Sequence, residues 1–176
     1  MKKVIISLFG IFFCLTLLGC ADNKEPLESI TITEGPFTFQ VPANFVKDEE
    51  KSGQNRAFYV TDAYDQGSYA CYEAEAEIES LAELTEEKIT EDTNRWLKET
   101  YLTNAKSEII EYTLEEKPEG KLLSYTISYN LYSAIVTETH FYYEKNGEVF
   151  HLEYYDVEEE GYRTSFEFYI ENMVIE

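Results

Sequence analysis

Apolar and polar residues alternate along most of the chain from residue 29 onward, and this period of two is typical of β-strands with one buried face. The alternation predicts eight strands, at about residues 30–33, 37–41, 57–61, 68–77, 107–114, 122–131, 135–144 and 148–156. Gly35-Pro36, Lys117–Gly120 and Asn146-Gly147 separate several of these runs and predict turns.

Two segments follow a helical period instead. Residues 80–83 read Ser-Leu-Ala-Glu, the form of a capping box, and predict a helix that runs to about Leu102, with Asn104 as its stop. Trp96 is expected to pin this helix to the sheet. A second helical pattern covers residues 162–173. The order of strands, helix, four strands and helix predicts an α+β fold: a largely antiparallel sheet with a central helix and a C-terminal helix packed on it.

The N-terminus carries a targeting signal. Lys2 and Lys3 precede an apolar run from Val4 to Leu18, which is too short to span a bilayer comfortably and has no charged cluster after it. The run ends Leu-Leu-Gly-Cys at residues 17–20 and resembles a bacterial lipobox, in which the cysteine receives a diacylglyceryl group and becomes the first mature residue.

This resemblance implies a division of the chain. Residues 1–19 would be a signal peptide, residues 20–28 a lipidated N-terminus and short tether, and residues 29–176 a single α+β domain. Two acyl chains at Cys20 anchor a protein stably to a bilayer. We therefore expect a protein that is attached to the cell membrane through its lipid and faces outside the cytoplasm.

The net charge of the chain narrows the kinds of partner that are expected. The chain has 176 residues and a net charge of −21, and removal of Lys2 and Lys3 with the signal would lower it by two, to about −23. Such a charge argues against nucleic acid as a partner.

Because Cys14 leaves with the signal and Cys20 takes the lipid, Cys71 has no partner for a disulfide, and we expect it to be a buried small residue.

Asn146-Gly147 is the strongest hairpin signal in the chain, because a type I′ turn needs positive φ at both central positions. With these two residues in the turn, Phe141 would face Leu152 and Tyr143 would face Phe150 on the core side.

On the opposite side of the same hairpin, His140 would face Glu153 and His151 would face Tyr142, so that the only two histidines become diagonal neighbours. Imidazole and carboxylate are ligands for divalent transition metals. His140, His151 and Glu153 are therefore a candidate metal site. The alternative is a solvated or helix-covered polar face.

Recognised enzyme motifs are missing from the sequence. It contains no Gly-x-Ser-x-Gly, no phosphate-binding glycine loop, no His-Glu-x-x-His and no Cys-x-x-Cys. The segment 62–73 has Asp, Gly and Glu at three positions of a calcium loop, but Tyr64 stands where an oxygen ligand is required. We interpret this segment as a hairpin turn.

The motif Phe-x-Phe-x-Val-Pro-x-x-Phe at residues 37–45 is followed by two strands, the central helix, the tyrosine-rich strands and the closing helix. The chain resembles the PsbP-like family in this one motif and in the order of its elements. The resemblance implies an α/β/α sandwich over most of residues 29–176. That family includes extrinsic photosystem proteins and many bacterial lipoproteins, most of them binding or assembly factors without catalysis.

The function expected from the sequence is a lipid-anchored, non-enzymatic binding or accessory module, whose partner is an envelope protein or a small ligand. One alternative is a divalent-metal-binding lipoprotein that uses His140, His151 and Glu153. A second alternative is a hydrolase without a recognisable motif. No cofactor other than a divalent metal is implied.

Overall fold

The computed structural model describes residues 25–61, 67–74, 76, 78 and 80–176. In these ranges the strands are β1 Ser29–Glu34, β2 Phe37–Pro42, β3 Phe45–Lys47, β4 Arg56–Thr61, β5 Tyr69–Glu73, β6 Ser107–Lys117, β7 Gly120–Leu131, β8 Ala134–Lys145, β9 Glu148–Val157 and β10 Val174–Ile175. The helices are α1 Glu86–Tyr101 and α2 Arg163–Glu171, with short 3₁₀ helices at Leu81–Glu83 and Glu158–Glu160.

The strands form two antiparallel sheets. The larger sheet has seven strands in the order β3-β4-β5-β9-β8-β7-β6, and the smaller has three in the order β1-β2-β10. The eight predicted strands are all present, and the structure adds the short strands β3 and β10. The prediction of an α+β fold with a largely antiparallel sheet is confirmed.

The large sheet is covered on both sides, and the two coverings differ. We call the side under the small sheet and α2 the apolar face. There Leu152 and Tyr154 of β9 pack in one cluster with Phe39 of β2 and with Phe166 and Tyr169 of α2. We call the other side the α1 face, where Ile89 and Leu97 of α1 pack on residues that alternate with the first set along the same strands. Because side chains alternate across a strand, the two helices lie on opposite sides of the sheet.

The hairpin of β8 and β9 has the register that its turn chemistry predicts. Asn146 and Gly147 have φ of 56° and 84°, and the paired residues run outward from Lys145 and Glu148. Phe141 faces Leu152, and Tyr143 faces Phe150 on the apolar face, as expected. Because a two-residue turn determines which residues pair, it also determines the face of every side chain along both strands.

Helix α1 begins later than predicted. Ser80 caps only the 3₁₀ turn at Leu81–Glu83, and Thr85 is the residue whose side chain caps α1, accepting from the backbone N–H of Lys88. The prediction of a single helix from residue 80 was therefore wrong, because two capping residues lie five positions apart. The helix ends at Tyr101, close to the predicted end near Leu102, because Leu102 itself adopts a left-handed conformation with φ of 53°.

The expected role of Trp96 also needs correction. Ile89 and Leu97 are the buried residues of α1, whereas Trp96 is 39% exposed. Its ring meets Tyr101 and Tyr129 edge-on and lines a cavity described below. Ile89 and Leu97, rather than Trp96, hold the helix to the sheet.

Cys71 is buried and free, as its position in the sequence predicted. Burial raises the pKa of its thiol to about 11, against the opposing effect of Arg56, whose Nε donates to the sulfur at 3.3 Å. The thiol is therefore protonated at neutral pH and is a poor nucleophile.

Several predictions fall outside the described residues. These are the signal at residues 1–19, the lipid site at Cys20, the first part of the tether, and the turn at residues 62–66 within the rejected calcium loop. Among the residues that are described, no helix has the length and apolar character needed to cross a membrane.

Candidate functional site

Strand register brings the polar side chains of the α1 face together. The antiparallel pairings of β5 with β9, β9 with β8 and β8 with β7 form three cross-strand rows. The rows are Glu73–His151–Tyr142, Cys71–Glu153–His140–Tyr125 and Tyr69–Tyr155–Glu138. Directly opposed residues lie about 4.5–5.5 Å apart at Cβ, so that each row is a line of contacts. We call Glu73, Glu138, His140, His151 and Glu153 the His–Glu cluster.

Both histidines are buried, at 8% exposure for His140 and 7% for His151. Of the two forms of the alternative interpretation, the solvated polar face is wrong and the helix-covered one agrees with the structure, because α1 and the neighbouring aromatic rings cover this part of the sheet. The predicted proximity is confirmed: His140 Nδ1 lies 3.0 Å from His151 Nε2.

Each remaining ring nitrogen faces a carboxylate. His140 Nε2 lies 3.2 Å from Glu138 Oε2, and His151 Nδ1 lies 3.7 Å from Glu73 Oε2. Because a carboxylate only accepts hydrogen bonds, His140 donates from Nε2 to Glu138, whereas the 3.7 Å between His151 Nδ1 and Glu73 is longer than a hydrogen bond. In the contact between the two rings, one nitrogen donates and the other accepts.

The surroundings shift the pKa values of the two histidines in opposite directions. Burial opposes charge on His140, but the hydrogen bond to Glu138 and the charge of Glu153 raise its pKa above the ordinary value. Burial lowers the pKa of His151 to about 4, and the charge of His140 acts in the same direction. Burial also raises the pKa of Glu153.

The predicted metal-ligand set has compact geometry. One ligand atom each from His140, His151 and Glu153 lies within 4.8 Å of the others. Tetrahedral zinc bonded to two imidazoles places their nitrogens about 3.3 Å apart, given a Zn–N bond of about 2.0 Å. The two histidines would therefore need to separate by only a few tenths of an ångström to bind the ion together.

The two imidazole rings of the cluster and the rings of Tyr125 and Tyr142 lie nearly parallel to one another. His140 stacks on Tyr125 with centroids 4.6 Å apart, and His151 stacks on Tyr142 at 4.2 Å with 5° between the planes. The two histidine rings are 6° from parallel. Stacking holds the rotamers of both imidazoles, which keeps the ring nitrogens aimed at each other and at the carboxylates.

A cavity of about 840 Å³ opens between α1, the β7–β8 turn and the sheet. His140, Glu138 and Glu153 belong to its floor. Trp96, Tyr101, Tyr132 and Tyr155 are among the aromatic residues that line it. The volume lies within the range of about 300–1,000 Å³ that is usual for small-molecule sites.

The sequence analysis found three members of the His–Glu cluster and missed Glu73 and Glu138. Glu138 could have been found, because it stands two residues before His140 on the same face of β8. Glu73 lies beside His151 only because β5 pairs with β9, about eighty residues further along the chain, and no local signal predicts that pairing. Tyr69, whose hydroxyl donates to Glu153 Oε1 at 2.8 Å, was missed for the same reason.

The sequence matches no protein-family model, and a search of curated proteins also found no match. Solved structures do resemble it. The solution structure of cyanobacterial PsbP, CyanoP, from Synechocystis sp. PCC 6803 superposes with a TM-score of 0.55 at 9% identity, covering 91% of this chain and 99% of that one. The chain has a PsbP-like fold.

A protein of unknown function from Pseudomonas aeruginosa also aligns, with a TM-score of 0.35 and 6% identity over 73% of this chain and 82% of that one. At that score the similarity adds nothing to the fold assignment. At 9% identity the similarity to PsbP concerns the fold alone, so function rests on the residues of the α1 face.

Proposed function

We propose that the protein is a lipid-anchored, extracytoplasmic binding module that is not an enzyme, and that its ligand site is the cavity on the α1 face. The observation that carries the proposal is the cavity itself: about 840 Å³, walled by aromatic rings and floored by ionisable groups that the fold buries at a cost in desolvation. Buried ionisable groups in a cleft are typical of functional sites.

A binding role fits the histidines better than hydrolysis. The four ring nitrogens face each other or a carboxylate, at 3.0 Å, 3.2 Å and 3.7 Å. Among the described residues, neither imidazole therefore makes a hydrogen bond to a hydroxyl or thiol nucleophile that it could activate. The thiol of Cys71, with its pKa raised to about 11 by burial, does not supply a thiolate.

The anchor rests on the sequence around Cys20 and is tested by substitution. Cys20→Ala should block incorporation of an alkyne-labelled fatty acid and should either release the protein from membranes or leave an uncut precursor. Cys71→Ala is the matched control, since it removes the other cysteine downstream of the signal and should change neither label nor location. Labelling of the Cys20→Ala protein at the wild-type level would contradict the anchor.

The ligand site is tested through Trp96, the only tryptophan in the chain, which lies in the cavity wall. Its indole N–H gives a single NMR signal. A mixed library of neutral, anionic and cationic fragments should contain members that shift this signal in the full chain. If no class of fragment shifts it, the cavity is not a small-molecule site.

A divalent metal is the second candidate ligand, favoured by the compact set of His140, His151 and Glu153. His140 and Glu153 line the cavity, which would give an ion a route to them. Metal binding would have to displace the proton shared between the histidines, so affinity should fall as the pH is lowered. Calorimetric titration of Zn²⁺ should give heat with wild type and none with His140→Ala/His151→Ala; equal heats would contradict a metal site at these residues.

A further inference from the structure

The walls of the cavity present aromatic rings from two sides. On one side Trp96 meets Tyr101 edge-on with centroids 5.1 Å apart, and Tyr101 meets Tyr132 at 6.4 Å. On the other side Tyr69 stacks on Tyr155 at 4.7 Å with 4° between the planes. The faces of aromatic rings carry negative potential and attract cations within about 6 Å of the centroid.

The charges that line the cavity are mostly negative. Glu138 and Glu153 lie in the floor together with His140. Asp92 stands at the rim, but it is already paired with Lys88 and Arg95. Among the described residues, no lysine or arginine lines the cavity. Two half-buried carboxyl groups without a lysine or arginine beside them in the described lining favour a cation over an anion.

The carboxylates of the floor are already engaged with side chains of the sheet. Glu138 already accepts from the hydroxyl of Tyr129 at Oε1 and from His140 at Oε2. Glu153 accepts from Tyr69 at Oε1. A primary ammonium group binds by donating hydrogen bonds, whereas a fully alkylated ammonium binds through negative potential and contact with aromatic rings. The aromatic lining, which includes Trp96, Tyr101 and Tyr132, therefore favours the alkylated cation.

The rim of the cavity carries backbone strain. Tyr132 has a left-handed φ of 57° and is 79% exposed, in a two-residue turn where Asn or Gly is usual. A bulky residue in this conformation costs of order 1 kcal/mol, and such strain concentrates at functional sites. The turn places an aromatic ring at the cavity mouth, opposite the end of α1.

We infer that the cavity on the α1 face binds a small organic cation with a quaternary or fully alkylated ammonium group. The alkyl groups pack against the aromatic walls, and the charge lies toward Glu138 and Glu153. This inference rests on the proposed binding function and names the chemical class of its ligand.

The test compares choline with its neutral isostere, 3,3-dimethyl-1-butanol, by titration against the fluorescence of Trp96. The full chain is used, in dodecyl maltoside with EDTA, so that divalent metals do not contribute. Choline should change the emission of Trp96 with a dissociation constant at least about tenfold lower than that of the alcohol.

Three variants assign the effect to residues. Glu138→Gln should weaken choline about tenfold and leave the alcohol unchanged, whereas Glu108→Gln, an exposed position on β6, should change neither. Tyr132→Asn should weaken choline severalfold, and Tyr132→Phe, which keeps the ring, should retain wild-type affinity. Because Tyr132 is exposed, its variants test the site without disturbing the core.

Equal affinity for choline and the alcohol would overturn the inference while leaving a small-molecule site in place. Absence of choline binding would also overturn it, and the fragment titration would then show whether the cavity binds another class of ligand. Choline binding that is unaffected by both Glu138→Gln and Tyr132→Asn would place the cation elsewhere on this acidic protein and would equally overturn the inference.

Discussion

Strands β8 and β9 supply both faces of the large sheet, and the two faces are built from different chemistry. On the apolar face, Phe141, Leu152 and Tyr154 are buried against the small sheet and α2. On the α1 face, the neighbouring positions hold Glu138, His140 and other members of the His–Glu cluster, beside an open cavity. One residue along a strand separates an aromatic and aliphatic core from a polar site.

This difference separates stability from function. The apolar face gains free energy by removing aromatic and aliphatic surface from water. The α1 face offsets part of that free energy, because it buries ionisable groups and leaves a cavity that close packing would fill. Four comparisons of variants test the contrast, from the largest expected effect to the smallest.

Leu152→Ala should remove a fully buried side chain from the apolar face and lower the free energy of unfolding by about 2–5 kcal/mol. Leu114→Ala makes the same change at an exposed position on β6 and should cost less than about 1 kcal/mol. Urea unfolding followed by circular dichroism measures both values. Similar losses in the two variants would mean that stability is not concentrated on the apolar face.

Asp156 gives the apolar face its own response to pH. Burial raises the pKa of Asp156 from 3.8 to about 6, so the folded state holds a proton at pH values where the unfolded state has lost it. The resulting stabilisation is complete below about pH 4 and is lost as the pH rises through about 6, by about 2–3 kcal/mol in total. On the α1 face the sign is opposite, because the pKa of His151 is lowered to about 4.

Asp156→Asn should therefore match wild type near pH 4 and exceed it in stability near pH 7, where the wild-type carboxylate is charged and buried. Unfolding in urea at several pH values measures the difference, and Glu116→Gln, at an exposed position on β6, is the control. A difference that does not change between pH 4 and pH 7 would contradict the raised pKa.

Removing one tyrosine hydroxyl from each face compares the contributions of their hydrogen bonds to stability. Tyr69→Phe removes a donor to the carboxylate of Glu153, and Tyr154→Phe removes a donor to the backbone oxygen of Gln40 at 2.9 Å. Hydrogen bonds to charged groups contribute more, so we expect losses of about 2 kcal/mol for Tyr69→Phe and about 1 kcal/mol for Tyr154→Phe. The reverse order, measured by thermal unfolding, would mean that Glu153 is neutral when the protein is folded.

The smallest effects come from the two hairpin turns that flank β8. Asn146 and Tyr132 have nearly equal φ, 56° and 57°, but only asparagine tolerates this conformation readily. Asn146→Tyr should lower stability by about 1 kcal/mol, and Tyr132→Asn should raise it by up to about 1 kcal/mol. Calorimetric melting of both variants measures these two changes in stability. A loss of stability in Tyr132→Asn would show that its contact with Tyr101 outweighs the backbone strain.

Sequence reasoning recovered the elements and one half of the site. The period of two along 107–156, together with Asn146-Gly147, predicted the β8–β9 hairpin and its register, and that register alone placed His140 beside Glu153. These features depend on neighbours a few residues apart. Turn geometry and alternation act at that range, so they can be read without knowing the rest of the fold.

Other features depended on the packing of distant segments. The β5–β9 pairing brings Glu73 and Tyr69 to His151 and Glu153, and the placement of α1 buries the histidines and forms the cavity. The Tyr132-Ser133 turn carries no Asn or Gly signal, and its geometry follows from the pairing of β7 with β8. Local chemistry determined which side chains share a face, whereas the total burial of apolar surface, summed over the whole chain, decided which strands meet and what covers each face.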